Sequence, residues 1–444
     1  MAYLSRTQTA GNRRTWTQSG WYKLDGNDPG NAQSLISTNG TNTGTNFHYT
    51  IEKGGNTGGA SDTISCHNYG GDVFTTTKLL RDYSAWYHIV LAMDTTQVSA
   101  ADRIKLWVNN ESVTITQAAN YPIQDFEFGV NNNGTVLGIG THPGSVGGYQ
   151  FTGIQAMVQL VDGLALTPAY FGSTDTATGI WKPGGSSTIS DYGTNGFKLK
   201  MDTTTPGADT SGKGNNYAVA AGTFTLTQGS PSNNWATWNP LAKYNRSATF
   251  ANGNTTVNSD NNSLWDSARG TFGFEKGKWY WETKFFGSSA AFNYIGVCNE
   301  NAIMGTNDAY DKNAVTVFYN ADGGEMRKDG NPTSANYGTF STSDVCGVAV
   351  DADNNTISIY KNNSIIVTNY ALSTSSIGNN GTGFIFPNAA VLDNGSGQYT
   401  NFGEGFFGTV AAGTSADGNG QGLFAYAPPS GYYAMNTKNL EAYG

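Results

Sequence analysis

The chain has 444 residues, 38% of them apolar, 13% aromatic and 13% charged, with 58 glycines and a formal net charge of −9. That acidic balance excludes a nucleic-acid role, which needs basic side chains to displace counterions. No apolar run approaches the ~20 residues of a membrane-spanning helix, so membrane insertion is not expected. Three cysteines, Cys66, Cys298 and Cys346, are too few and odd in number for a disulfide framework; buried free thiols are expected at the last two.

The length allows two or three domains, and abundant aromatics and glycine with few helical stretches point to short strands and tight turns. Met1 to Arg6 lacks the apolar core of a secretory signal, so the chain is expected to fold where it is made or to leave by a route that its sequence does not encode.

Residues 1–172 read as a first unit. Near its start Thr15, Thr17 and Ser19 alternate with Trp16, Gln18 and Gly20. Its best-patterned piece runs from Ala85 to Met93, then Arg103 to Val108, an Asn109-Asn110 turn, and Ser112 to Ile115. Ile104, Leu106 and Val108 face one way and Arg103, Lys105 and Trp107 the other, the alternation of a half-buried strand. An alternating strand from Gly153 follows, and Thr167-Pro168 starts a short helical turn with Pro at its first position. Residues 173–231 read as a linker rich in Gly, Ser, Thr, Asp and Asn, interrupted by one returning strand, Gly196 to Met201.

The second unit, 232–408, holds the clearest strand signals. From Trp279 to Phe285, Trp279, Trp281, Thr283 and Phe285 share one face and Tyr280, Glu282 and Lys284 the other. Asp344 to Asp351, a turn, Thr356 to Lys361, an Asn362-Asn363 turn and Ile365 to Val367 then give two hairpins in succession. The order of strand, turn, alternating strand, Asn-Asn turn and short strand from His88 to Ile115 thus recurs from Cys346 to Val367, which predicts two domains of related topology. The tail, 409–444, is Gly-rich and then aromatic, free to pack on the second unit or on a neighbour. The predicted class is all-β, two concanavalin A-like antiparallel β-sandwiches of jelly-roll type in tandem.

These residues carry a family likeness. The second unit resembles a SPRY domain through Gly277 to Glu282, Tyr294 to Cys298, Asp344 to Asp351, Thr356 to Asn363 and Phe384 to Pro387. The first is similar to a laminin-G or concanavalin A-like sandwich through Ala85 to Val90, Arg103 to Asn110 and Phe151 to Phe171. The pairing resembles virion proteins of marine tailed bacteriophages, in which such modules serve as tail-fibre, capsid-fibre or decoration components. The resemblance implies a virion location, other virion proteins as partners, homo-oligomeric display and host-surface polysaccharide as ligand.

Catalytic chemistry finds little support. The Glu-x-Asp-x-x-Glu triplet of related glucanases is absent, and Glu275 and Glu282 read as ionised surface carboxylates. The histidines His48, His67, His88 and His142 show no metal spacing and read as core or rim residues. Asp351 to Asn355 starts like a calcium loop, but Thr356 stands where Gly is needed, so a β-turn is expected. No cofactor is called for, and Trp86, Trp107, Trp279 and Trp281 are expected in cores.

What remains is a binding surface on loops carried by a rigid scaffold. The candidate ligand-binding residues are Asp25, Asn27, Asp28, His142 and Tyr149 in the first unit, and Asn299, Asn307, Asp308, Tyr310, Asp329 and Tyr337 in the second. The expected function is a non-enzymatic phage surface or fibre protein that binds glycan. The alternatives are a capsid decoration protein without ligand, a glycan depolymerase, and peptide recognition by the SPRY-like unit.

Overall fold

The computed structural model describes the chain except residues 1, 27–31, 43, 53–61, 69–70, 118–120, 245–247, 261–264, 288–292, 301–315, 329–330 and 373–382. It is mostly β, 44% strand and 3% helix, and divides into one unit of residues 1–24 and 28–226 and another of residues 25–27 and 227–444.

In the first unit an eight-stranded sheet runs in the order Ile115–Thr116, Gly71–Thr76, Ile64–Asn68, Asn46–Ile51, Gln33–Asn39, Val136–Ile139, Tyr3–Thr7 and Ala218–Ala221. A six-stranded sheet runs Phe197–Leu199, Ile154–Asp162, Thr15–Lys23, Trp86–Asp94, Ile104–Val108 and Glu111–Ser112. The alternation in Thr15–Lys23 sends Trp16 and Tyr22 into the space between the sheets, where they meet Phe47, Tyr49, Leu91, Leu106 and Leu160. The Pro168 turn is a 3-10 turn over Pro168–Tyr170, and the returning strand pairs antiparallel with Ile154–Asp162. The stretch around it is less loop-like than its composition implies: Gly172–Thr174 pairs with Trp181–Pro183, and Ala218–Ala221 joins the larger sheet.

The second unit packs a seven-stranded sheet, Trp238–Tyr244, Asp266–Gly270, Ile385–Val391, Asn293–Asn299, Thr316–Asn320, Met326–Lys328 and Asn331–Pro332, with a second sheet. The latter runs Thr249–Ala251, Thr256–Asn258, Gly397–Asn401, Lys278–Phe286, Cys346–Asp351, Thr356–Lys361 and Ser364–Ala371. Trp279, Trp281 and Phe285 lie in the core between them with Ile295, Tyr319, Val348 and Ile359. All three cysteines are buried and free, and Asp351 to Asn355 is a hairpin turn in which Asp351 accepts from the Asn354 backbone N–H at 3.0 Å and pairs with Lys278 at 2.8 Å.

The recurrence read from the sequence is present at the level of atoms. Asn109 and Asn110 adopt φ of 50° and 69°, Asn362 and Asn363 of 47° and 70°, the paired left-handed residues of a tight hairpin. In both turns the first Asn reaches back to the strand before: Asn109 Oδ1 accepts the His88 N–H at 2.8 Å, and Asn362 Oδ1 accepts the Val345 N–H at 2.9 Å.

The expectation of a half-exposed strand at Glu282 and Tyr280 fails because a further layer of chain covers the outer sheet face. Glu282, expected as a surface carboxylate, is fully buried together with Tyr280, because the tail folds back over them. Tyr433–Ala434 pairs in parallel with Trp279 and Tyr280, and the Ala425 and Tyr426 N–H groups donate to Glu282 at 2.8 and 2.9 Å. Trp235, Tyr280, Ala349, Phe424 and Ala434 make a small second core there. Trp107, expected in the main core, lies instead on the outer face of its sheet with Val90, Val161, Leu166 and Phe171.

Replacing Asn362 with Ala removes two part-buried hydrogen bonds, from the Val345 N–H and to Asp344, and puts a Cβ residue without a local side-chain acceptor in the left-handed region. The expected cost is roughly 2 kcal/mol, read as a lower urea midpoint for hydrogen exchange in the second unit's strands, while Asn363→Gly leaves that midpoint unchanged or higher.

Candidate functional site: a histidine shelf under the 140–152 loop

The strands Asn46–Ile51 and Ile64–Asn68 pair so that His48 stands opposite His67. Phe47, Tyr49, Ile51, Ile64 and Cys66 on these strands fill the core, so the period of two forces His48, Thr50, Ser65 and His67 onto the other face. This polar face is not open to water: Ser34, Ser37, Thr50 and Ser65 are fully buried. Residues 140–152 cross it as a loop closed at its neck by the Phe151 N–H donating to Gly140 O at 2.9 Å. Gly140 takes φ of 81° there. The loop is tied down by the Ser34 N–H to Tyr149 O at 3.0 Å and by Gln33 Nε2 to Thr152 Oγ1 at 2.9 Å.

Three of the four histidines meet under this loop. His48 packs edge-on against Tyr149 at 4.6 Å and His142 at 5.0 Å, and lies 6.3 Å from His67. His142 Nδ1 accepts from the Gly144 N–H at 3.1 Å, and its Nε2 lies 3.3 Å from Asn46 Nδ2. Tyr149 and His142 are half-buried, and Asp72 at the rim is exposed. His48 Nε2 is buried without a hydrogen-bond partner. Among the described residues no three His, Cys, Asp or Glu side chains converge closely enough to hold a metal ion.

Beneath the rim, His67 links two carboxylates, with Nε2 3.1 Å from Glu52 and Nδ1 2.8 Å from Asp72. Ser65 Oγ lies 2.7 Å from the same Nε2, which mimics a Ser-His-Asp relay. The electrostatics do not support that chemistry. Burial alone would lower the His67 pKa, but hydrogen bonds to Glu52 and Asp72 outweigh it and hold the value above the ordinary one. For Glu52 burial acts upward, and the bonds from His67, Ser65 and Thr50 bring its carboxyl below the usual range. Both ring nitrogens of His67 are engaged by carboxylates, Nδ1 by Asp72 and Nε2 by Glu52, which competes with Ser65 for that atom. Ser65 also bonds to Glu52 and has no exposed surface. The group is an ion triad, buried at Glu52 and open to solvent at Asp72, that stiffens the shelf.

His48 and His142 behave in the opposite sense. Burial lowers both, and for His48 the neighbouring His142 and His67 lower it further. The fourth histidine, His88, is a true interior residue: burial lowers it to about 3, Trp181 Nε1 donates to its Nδ1 at 2.9 Å, and its Nε2 lies 2.9 Å from Ser19 Oγ.

Of the residues singled out from sequence, the fold brings His142 and Tyr149 together and adds His48 and His67. The available signal was their places on consecutive core-patterned strands, but the cross-strand register that opposes them depends on the intervening connection. Asp25 is buried, in the segment 25–27 that groups with the second unit. Asn299 is buried at a strand end, and Tyr337 is half-buried against the second core with its N–H on Gly324 O. Asn27, Asp28, Asn307, Asp308, Tyr310 and Asp329 lie outside the described residues. Elsewhere in the second unit Arg327 bonds Glu325 at 2.7 Å and lies over the Tyr294 ring at 5.4 Å.

Comparison with known proteins places a SPRY domain in the C-terminal part, where residues 278–404 match the SPRY domain family. The N-terminal sandwich is of unassigned family. Similar solved structures include the SPRY domain of human HERC1, at 12% identity over 37% of this chain and 96% of that one, with a TM-score of 0.31. The TRIM65 PSpry domain matches at 13% identity over 37% and 88%, TM-score 0.30. Stonustoxin matches at 14% identity over 38% of this chain, which spans only 28% of that protein, TM-score 0.29. No curated protein matches the chain.

The histidines give a pH test with opposite signs. A raised His67 contributes stability fully below its unfolded value, about 6.5, and loses it as pH rises through the higher folded value. Glu52, lowered, contributes above about 4.5 and loses it as pH falls through its folded value, so the triad is at full strength between about pH 4.5 and 6.5. His48, lowered, costs stability as pH falls below about 6.5. Thermal melts are expected to show His67→Asn losing a few degrees more at pH 5.5 than at pH 8, and His48→Asn gaining at pH 5.5 relative to pH 8.

Proposed function

We propose that this chain is a non-enzymatic surface or fibre protein of a phage virion, held by other virion proteins, that binds host-surface glycan. In this reading the first unit is a laminin-G or concanavalin A-like module and the 140–152 loop is its contact surface. The observation that carries it is the loop itself. Tyr149 offers a ring edge and a hydroxyl, and His142, Asn46 and Asp72 offer polar groups around it, all on a base fixed by buried hydrogen bonds. Flat rings among fixed hydrogen-bonding groups on a rigid support are what sugar recognition uses. The one hydroxyl placed beside a histidine, Ser65, is fully buried and shared with Glu52, which favours binding over depolymerisation. One such site is weak, and a homo-oligomer on a particle converts it to avidity, the second contact being effectively intramolecular.

The test uses a multimer of the full chain on immobilised host polysaccharide. Retention is expected to fall at least tenfold in the Tyr149→Ala, His142→Ala double variant, with no release of reducing ends by the parent. Equal retention by the double variant overturns the reading. A chain that coats the capsid at fixed stoichiometry while its multimer binds no polysaccharide supports the decoration role instead.

A further inference from the structure

The first unit carries a second concavity, on the outer face of its six-stranded sheet, whereas the histidine strands belong to the eight-stranded one. Gln159 and Lys198 stand directly opposite one another on the paired strands Ile154–Asp162 and Phe197–Leu199. Their neighbours Val158, Leu160, Phe197 and Leu199 point into the core, so both side chains face outward, with Cβ atoms ~5 Å apart. They form part of the lining of a groove of about 410 Å³ walled by Tyr170, Ile189, Tyr192 and Met157. Met157 holds φ of 50° at a register shift in its strand, a bulge that re-aims a side chain at the sheet surface.

The polar groups of the groove are set for an acceptor. The Tyr192 hydroxyl donates to Gln159 Oε1 at 2.7 Å, which fixes the amide and leaves its two N–H donors available. Lys198 is the one charged residue in the lining. The neighbouring lysines Lys182 and Lys213 pair with Asp175 and Asp191 at 2.8 and 2.6 Å, whereas Lys198 has no such partner among the described residues. Asp209 lies close, but its carboxylate accepts from the Lys198, Ser211 and Asn215 N–H groups and from Ser211 Oγ. An unpaired cation thus sits in a groove of a protein with nine excess negative charges. It stands beside a fixed amide, with the Tyr170 ring and the Ser187 and Thr188 hydroxyls around them.

We infer that this groove binds a carboxylate-bearing sugar, a hexuronate unit of an acidic polysaccharide. Its carboxylate lies between the Lys198 ammonium and the Gln159 amide, and its ring lies against Tyr170. The inference does not rest on the shelf: the two sites share no residue, and a ligand of one need not occupy the other.

The experiment titrates the full chain with a galacturonate trimer and with the same trimer after carboxyl reduction, at low and high salt. Saturation-transfer NMR reads the contact. The acidic trimer is expected to bind and the reduced one not, with affinity falling as salt rises. Lys198→Gln is expected to lose at least tenfold and Lys198→Arg to keep most of it. Absence of binding by the parent chain, equal binding of both trimers, or an unchanged Lys198→Gln each overturns the groove. Loss in Tyr149→Ala with Lys198→Gln unaffected overturns the groove and leaves the shelf standing.

Discussion

Each of these sheets has two faces, and only one of them can be the core of its sandwich. The other face is where this chain departs from a plain scaffold. In three of the four large sheets it is covered, among the described residues, by segments of the same chain, and several of the polar groups there bond to those segments. The 140–152 loop takes the Ser34 N–H on Tyr149 O. The stretch from Leu164 to Tyr192 covers Thr17, Ser19 and His88, with Thr17 Oγ1 donating to Leu164 O at 2.7 Å and Trp181 bonding His88. The tail covers Tyr280 and Glu282. An unpaired buried polar group costs about 1–3 kcal/mol, so these segments cannot lift without exposing or orphaning their partners. Burial pushes the Glu282 carboxyl up to about 7 against the two N–H groups that bind it.

This third layer explains why binding surfaces can arise on connections that composition marks as loops. A loop in water is a poor site because ordering it on binding costs entropy. A loop stapled to a sheet through Tyr149, Thr152 and Ser34 has already lost that freedom when it folds. The groove beside Gln159 and Lys198 arises the same way, between the outer sheet face and the Leu164 to Tyr192 cover. The histidine triad supplies stiffness, because Glu52 and Asp72 hold His67 through both ring nitrogens.

Much of the scaffold was legible from local pattern. Period-two runs at Trp86–Asp94, Ile104–Val108, Lys278–Phe286 and Thr356–Lys361 are strands within a residue or two, and the Asn-Asn pairs are tight left-handed turns because little but Asn and Gly tolerates that geometry. The third layer was not legible, since periodicity describes one strand at a time. Glu282 reads as a solvent-facing carboxylate until a segment more than a hundred residues away lands on it. His48 and His67 read as unrelated until the register opposes them. His142 and Tyr149 stand in one loop of the chain, whereas Gln159 and Lys198 lie on two separate strands that only the register brings together.

The account stands on the third layer being part of the fold. Hydrogen exchange of the native full chain, resolved by segment, tests it most directly. The backbone N–H groups of Ser34 under the 140–152 loop, of Leu166, and of Ala425 and Tyr426 over Glu282 are predicted to exchange as slowly as those of the strands they cover. Exchange at free-peptide rates in these segments, with the strands still protected, would contradict it.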